Sequence, residues 1–236
     1  MFCSVHMGDF YTPIYMNAPT AFLFDLNGTM VNDMDFHITA WHEVFNNWGA
    51  EITWDHMKVE CYGKNEEIVQ RLFPARFNHE EVQQMAMQKE MQYRLNYQPH
   101  LELLPGLDLL LHRAHNDNIN MAIGSASIKS NIDFVVDGLE LSDYFHVIVS
   151  AEDVQHSKPH PETFLLCAEW LHVEASACIV FEDSIKGVEA ALRAGMRCIA
   201  ITNLHGEKDF AKFPNVLLAI EDYNDPRLTP LLFEEG

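Results

Sequence analysis

The chain has 236 residues, 48% hydrophobic and 21% charged, enough to bury a sizeable core in one large domain or one domain with an insert. Thirty-five acidic against fifteen basic side chains leave a formal charge of −20, which argues against a nucleic-acid backbone as partner because phosphate tracks need basic stripes. No apolar run approaches the ~18–20 residues of a membrane span. Five scattered cysteines (Cys3, Cys61, Cys167, Cys178 and Cys198) without a CxxC pair suggest neither a disulfide framework nor a zinc site, and fit a reducing cytoplasm.

In chain order, the first twenty residues carry no Lys or Arg and no apolar core, so they read as a loosely held extension rather than a signal peptide. Ala21–Phe24 is a short continuous apolar run, the pattern of a strand buried on both faces in a parallel sheet. Asp25 follows at its carboxyl end, then Gly28-Thr29. On this stretch alone, Asp25 serves equally well as a cap for the next helix or as a ligand-facing carboxylate at the sheet edge.

From about Asp33 to Leu104 the rhythm is helical. Phe36, Ala40, Trp41, Val44, Phe45 and Trp48 fall three and four apart, an amphipathic helix stopped by Gly49. A second helix covers about Glu66–Leu72 before Pro74, and a third Glu80–Tyr97 before Pro99. Pro105-Gly106 then marks a return to alternation. Helices are predicted at Leu107–Ala114, Asn131–Gly138, Pro161–His172 and Ile185–Ala194. His112 and His115 lie in the first of these and read as solvated. Strands are predicted at Ile119–Ile123, Val147–Val149, Cys178–Phe181, Arg197–Thr202 and Val216–Ile220.

Strands alternating with such helices indicate a parallel sheet with right-handed crossovers. The fold class is therefore α/β, a Rossmann-like three-layer core of residues 21–33 and 105–236. A helical domain, residues 34–104, is inserted after the first strand, with hinges near Asn32–Met34 and Leu103–Pro105.

Three buried strands end in polar residues: Asp25, Ser125 and Glu182-Asp183. A fourth polar cluster, Ser157–Glu162, precedes a helix. In a parallel sheet all of these lie on one edge. Converging carboxylates with one lysine suit Mg²⁺, which takes one or two carboxylates together with substrate phosphate and water. The lysine would offset the charge of phosphate and nucleophile, and a serine hydroxyl would donate to a phosphoryl oxygen. Singly, each cluster is explained by a turn or a helix cap; together, coincidence accounts for them poorly.

The series FDLNGT (Phe24–Thr29), IGSAS (Ile123–Ser127), SKPHPETF (Ser157–Phe164) and VFEDS (Val180–Ser184), the last followed by KGVEAALRAG, resembles the four motifs of the haloacid dehalogenase-like superfamily. Within it, the chain is similar to the β-phosphoglucomutase branch, whose small helical cap follows the first motif. The likeness spans about Ala21 to Thr202. It implies Asp25 as a nucleophile that forms an aspartyl-phosphate, with Ser125 and Lys158 binding the phosphoryl group. It also implies Mg²⁺ held by Asp25, the backbone carbonyl of Asn27 and Asp183, with Glu182 close by. Thr29, His37, Gly63, Lys64, Lys89 and Ala126 fall where the branch contacts substrate. The partner is a small phosphorylated metabolite, with neither nucleic acid nor membrane involved, and the protein is expected to act as a cytoplasmic monomer.

Two positions depart from the pattern. Where the branch has a second Asp that exchanges a proton with the leaving group, this chain has Asn27, whose amide cannot do so at neutral pH. Glu66 stands where a mutase has an arginine for the distal phosphate. Three readings follow: a Mg²⁺-dependent phosphatase or phosphotransferase slowed by Asn27 or served by another base such as His37; a sugar-phosphate binder without turnover; and a C–X bond hydrolase, against which the intact Glu182-Asp183 pair counts.

Overall fold

The computed structural model describes residues 19–233. Most of the expected N-terminal extension, including Cys3, lies outside them, but Thr20 is already tied to the sheet, its N–H donating to Ala177 and its carbonyl accepting from Asn120.

Strand β1 (Ala21–Phe24) is buried along its whole length. Four helices follow: α1 (Met34–Asn47), α2 (Trp54–Glu60), α3 (Asn65–Leu72) and α4 (His79–Tyr97). Alternation then runs through α5 (Leu107–Asn116), β2 (Asn120–Gly124), α6 (Lys129–Gly138), β3 (Val147–Val149), α7 (Glu162–Trp170), β4 (Cys178–Glu182), α8 (Ile185–Arg193), β5 (Arg197–Ile201), α9 (Glu207–Phe210), β6 (Val216–Ile220) and α10 (Leu228–Leu232). The six strands form one parallel sheet in the order β3-β2-β1-β4-β5-β6. The chain order reverses at β1, the switch point at which open α/β sheets bind ligands.

Period-two alternation splits each strand between two cores. Phe22, Phe24, Ile123, Ile179 and Phe181 face one layer with α5, α6 and α10. Ala21, Leu23, Ala122, Val180 and Cys198 face the other with α7 and α8. A third cluster of Ile38, Trp41, Phe45, Met57, Val69, Val82 and Met85 holds α1–α4 together. Helix α4 belongs to two cores at once: Val82 and Met85 sit in the helical cluster, whereas Tyr93 and Tyr97 pack into the main one.

Three helices were not expected from the sequence. Only Met57 of α2 is buried, too little for a periodic signal, and its start is fixed locally by Thr53, which accepts from the His56 N–H. Helices α9 and α10 span four and five residues. Cys61, Cys167, Cys178 and Cys198 are free thiols, and among the described residues no helix is long and apolar enough to cross a membrane.

Candidate active site

The register creates the site. Phe24 pairs with Ile123 on one side and Phe181 on the other, so the next residues, Asp25, Gly124 and Glu182, stand at one level at the sheet's carboxyl edge. Ser125 and Asp183 follow at once. Lys158, from the loop before α7, reaches between the strands and donates to Asp25 Oδ1 at 2.6 Å and to Glu182 Oε1 at 2.8 Å. Asp25, Glu182 and Asp183 each bring an oxygen to within 4.8 Å of the others.

Two glycines make room for this. Gly28 has φ +77°, and a methyl there would overlap the Asp183 carboxylate. Gly187, in the first turns of α8, lies so close that a side chain would collide with Glu182 Oε1. That carboxylate's other oxygen accepts the Ser184 N–H at 2.6 Å.

Three buried carboxylates face a single ammonium. Burial pushes Asp25 up to about 7 against the pull of Lys158, with Glu182 adding to the rise. Burial likewise raises Asp183, helped by Glu182 and Asp25. Burial works against the Lys158 cation too, but Asp25 and Glu182 outweigh it and hold the lysine above its ordinary value. The set has more negative charge than it can neutralise and consists of hard oxygen donors. A divalent cation such as Mg²⁺ fits it.

These groups floor a cavity of about 930 Å³ roofed by α1–α4. Of the sequence-predicted residues, Asp25, Asn27, His37, Gly63, Lys64, Lys89, Ser125, Ala126, Lys158, Glu182 and Asp183 all line it. Thr29 does not. It is fully buried, with its hydroxyl 3.5 Å from Asp183 Oδ1. Lys64 is anchored, donating to the Val154 carbonyl at 2.6 Å. Lys89 is buried, not on an exposed helix face, and donates to Glu90 Oε1 at 3.0 Å and His37 Nδ1 at 2.8 Å.

Around Asn27 the structure adds a network the sequence did not reveal. Asn27 Nδ2 donates to Asp33 Oδ2 at 2.6 Å and lies 3.0 Å from His37 Nε2, while the Ser127 hydroxyl donates to Asn27 Oδ1 at 2.5 Å. Asp33 also accepts from the Tyr93 hydroxyl at 2.6 Å, and the Tyr93 ring stacks on His37 at 3.7 Å. Glu90 accepts from Asn65 and Asn131, each at 2.6 Å. Burial alone would raise Glu90, but Lys89, His37 and these amides prevail and lower it to about 2. His37 is lowered by burial and by Lys89. A lysine ammonium only donates, so Nδ1 of His37 accepts and Nε2 carries the proton. Of its members, the sequence singled out Asn27, His37 and Lys89; Asp33, Glu90, Ser127 and Asn131 join through tertiary packing.

The chain belongs to the haloacid dehalogenase-like hydrolases: the profile of that family matches residues 22–201. It is 34% identical over 183 residues to a protein of Haemophilus influenzae, an alignment covering 76% of this chain and 90% of that one. It is 30% identical over 179 residues to the fructose-1-phosphate phosphatase YqaB of Escherichia coli, covering 76% and 94%. Among solved structures, a β-phosphoglucomutase from Clostridium difficile superposes with a TM-score of 0.77 at 28% identity, covering 87% of this chain and 92% of that one.

Proposed function

We propose that the protein is a slow, Mg²⁺-dependent phosphatase of small sugar monophosphates, working in the cytoplasm with residues 34–104 as a cap over the active site. The observation that carries this reading is the Lys158 ammonium bridging Asp25 and Glu182, with Asp183 within ligand distance, on the floor of the cavity beneath the helical layer. Asp25 attacks phosphorus: its carboxylate forms a new P–O bond as the bond to the sugar oxygen breaks, and water then cleaves the acyl phosphate to release inorganic phosphate. Lys158 and Ser125 hold the phosphoryl oxygens. Asp25, Asp183 and the carbonyl of residue 27 would hold Mg²⁺, which supplies charge neutralisation for the phosphate.

The slow step is the proton. Asn27 has none to give, and His37 is a poor substitute: Nδ1 is engaged by Lys89, and burial together with Lys89 keeps the ring neutral, so its Nε2–H is only weakly acidic. Loss of a positioned acid/base costs roughly 10²–10⁴ in rate. A preference for a single phosphate is supported by Lys89 being paired with Glu90, Lys64 being tied to a carbonyl and Glu66 adding negative charge to the lining, which leaves Lys58 and Lys186 as the lining lysines besides Lys158 of the floor. The fructose-1-phosphate phosphatase activity of the Escherichia coli relative supports the same substrate class.

The test is phosphate release from a panel of hexose and pentose monophosphates and bisphosphates. Release should need Mg²⁺, favour monophosphates and vanish in Asp25→Ala. Unchanged release in that variant would sink the proposal. The binder reading rests on how firmly Ser127 and Asp33 hold the Asn27 amide. It predicts ligand-induced thermal shifts without any product.

A further inference from the structure

Outside the cavity, His156, His160 and Glu162 each bring a ligand atom to within 4.8 Å of the others. Nδ1 of His156 lies 2.9 Å and Nδ1 of His160 lies 3.6 Å from the same carboxylate oxygen, Glu162 Oε2. Donors around a tetrahedral ion with bonds of about 2.0–2.1 Å stand about 3.3 Å apart. The two observed separations bracket that edge.

The carboxylate is fixed in advance. Glu162 Oε1 accepts the Gln155 N–H at 2.8 Å, and Oε2 accepts the His156 N–H at 3.0 Å, the kind of outer support that orients metal ligands. His160 stands between Pro159 and Pro161, whose rings restrict the backbone on both sides. Its Nδ1 receives the Glu162 N–H at 3.3 Å and so presents a lone pair, not a proton. The two imidazoles lie 4.6 Å apart, and their side chains are 62% and 49% exposed, open to an incoming ion.

We propose that His156, His160 and Glu162 form a binding site for a transition-metal ion of the zinc type, separate from the buried carboxylates. Two imidazoles with one carboxylate suit Zn²⁺ and its borderline neighbours, whereas Mg²⁺ prefers an all-oxygen shell. Water completes the coordination, and the ion takes over the hydrogen-bonding positions of the two Nδ1 atoms. The site straddles Lys158. Its histidines stand two residues before and two after that lysine, and the intervening Ser157 hydroxyl donates to Glu67 of α3 at 2.9 Å. An occupied site therefore clamps the loop that holds the Lys158 bridge of the floor and one of its links to the helical layer. The inference does not depend on the proposed phosphatase activity.

The test is a calorimetric Zn²⁺ titration of the full chain under saturating Mg²⁺, which occupies the carboxylate floor. Wild type is compared with His156→Gln, His160→Gln and Glu162→Gln. We expect a zinc site in the wild type that weakens at least tenfold in each variant, and a zinc-induced rise in Tm that the variants lack. Equal zinc affinity in the wild type and the three variants overturns the proposal, as does a wild type that binds no zinc. All three side chains are on the surface, and far-UV circular dichroism confirms that each variant is folded before titration.

Discussion

At position 27, where the motif resemblance leads one to expect a carboxylate, stands an amide held by two neighbours: Ser127 donates to its oxygen and Asp33 accepts from its nitrogen. Asn27→Asp should raise kcat for phosphate release by roughly 10²-fold or more, since it restores a positioned acid/base; steady-state assays on the same monophosphate check it, and an unchanged kcat would mean that another group already moves the proton. Lys158 offers a second test. Removing one partner of a buried charge cluster typically costs about 3–5 kcal/mol, and here Asp25 and Glu182 would both lose their cation. Lys158→Met should therefore lower stability strongly in metal-free buffer and less so with Mg²⁺, which replaces part of the lost positive charge. Denaturant titrations with and without Mg²⁺ measure the difference.

Within single elements, local rules are overruled where the site requires it. Alanine is the better helix former than glycine by about 1 kcal/mol, so Gly187→Ala in α8 would ordinarily stabilise. Here the added methyl meets the Glu182 carboxylate, and the substitution should destabilise the protein and displace Glu182 from Lys158. A higher Tm in the variant would contradict this. Helix α4 carries a similar compromise. A capping box of Asn78 and Glu81 starts it, but a buried lysine next to a buried glutamate in its middle, Lys89-Glu90, runs against helix patterning and marks the network around His37.

Across the whole molecule, α4 links the helical layer to the sheet, and Asn131 of α6 binds both Glu90 and Arg94 of α4. This network sets an acid limit on stability. The Glu90 carboxyl is held at about 2, below its ordinary value of 4.5, so folding favours its ionised form. Its contribution is complete above about pH 4.5 and disappears as pH falls toward 2. His37 is lowered in the fold, so the unfolded chain takes up that proton first and stability is also lost as pH drops through 6.5. In denaturation measured against pH, the wild type should lose its advantage over Glu90→Gln between pH 5 and 2; a constant gap would exclude Glu90 as the cause.

The sequence by itself determined the α/β alternation, the helical insert and the three polar strand ends, because burial on both faces of β1, β2 and β4 leaves apolar runs that stop at polar residues. It also marked Asn27 as a departure from the resembled motif, since a motif position is a one-residue statement. What it could not reach were contacts between side chains distant in the chain. Lys89 read as a substrate contact, and its burial against Glu90 and His37, with Asn131 holding Glu90, arises only when α1, α4 and α6 pack together. Thr29 read as a substrate contact, and only the sheet's register placed it beside Asp183. Periodicity records which face of an element is buried, whereas the tertiary structure decides what that face meets.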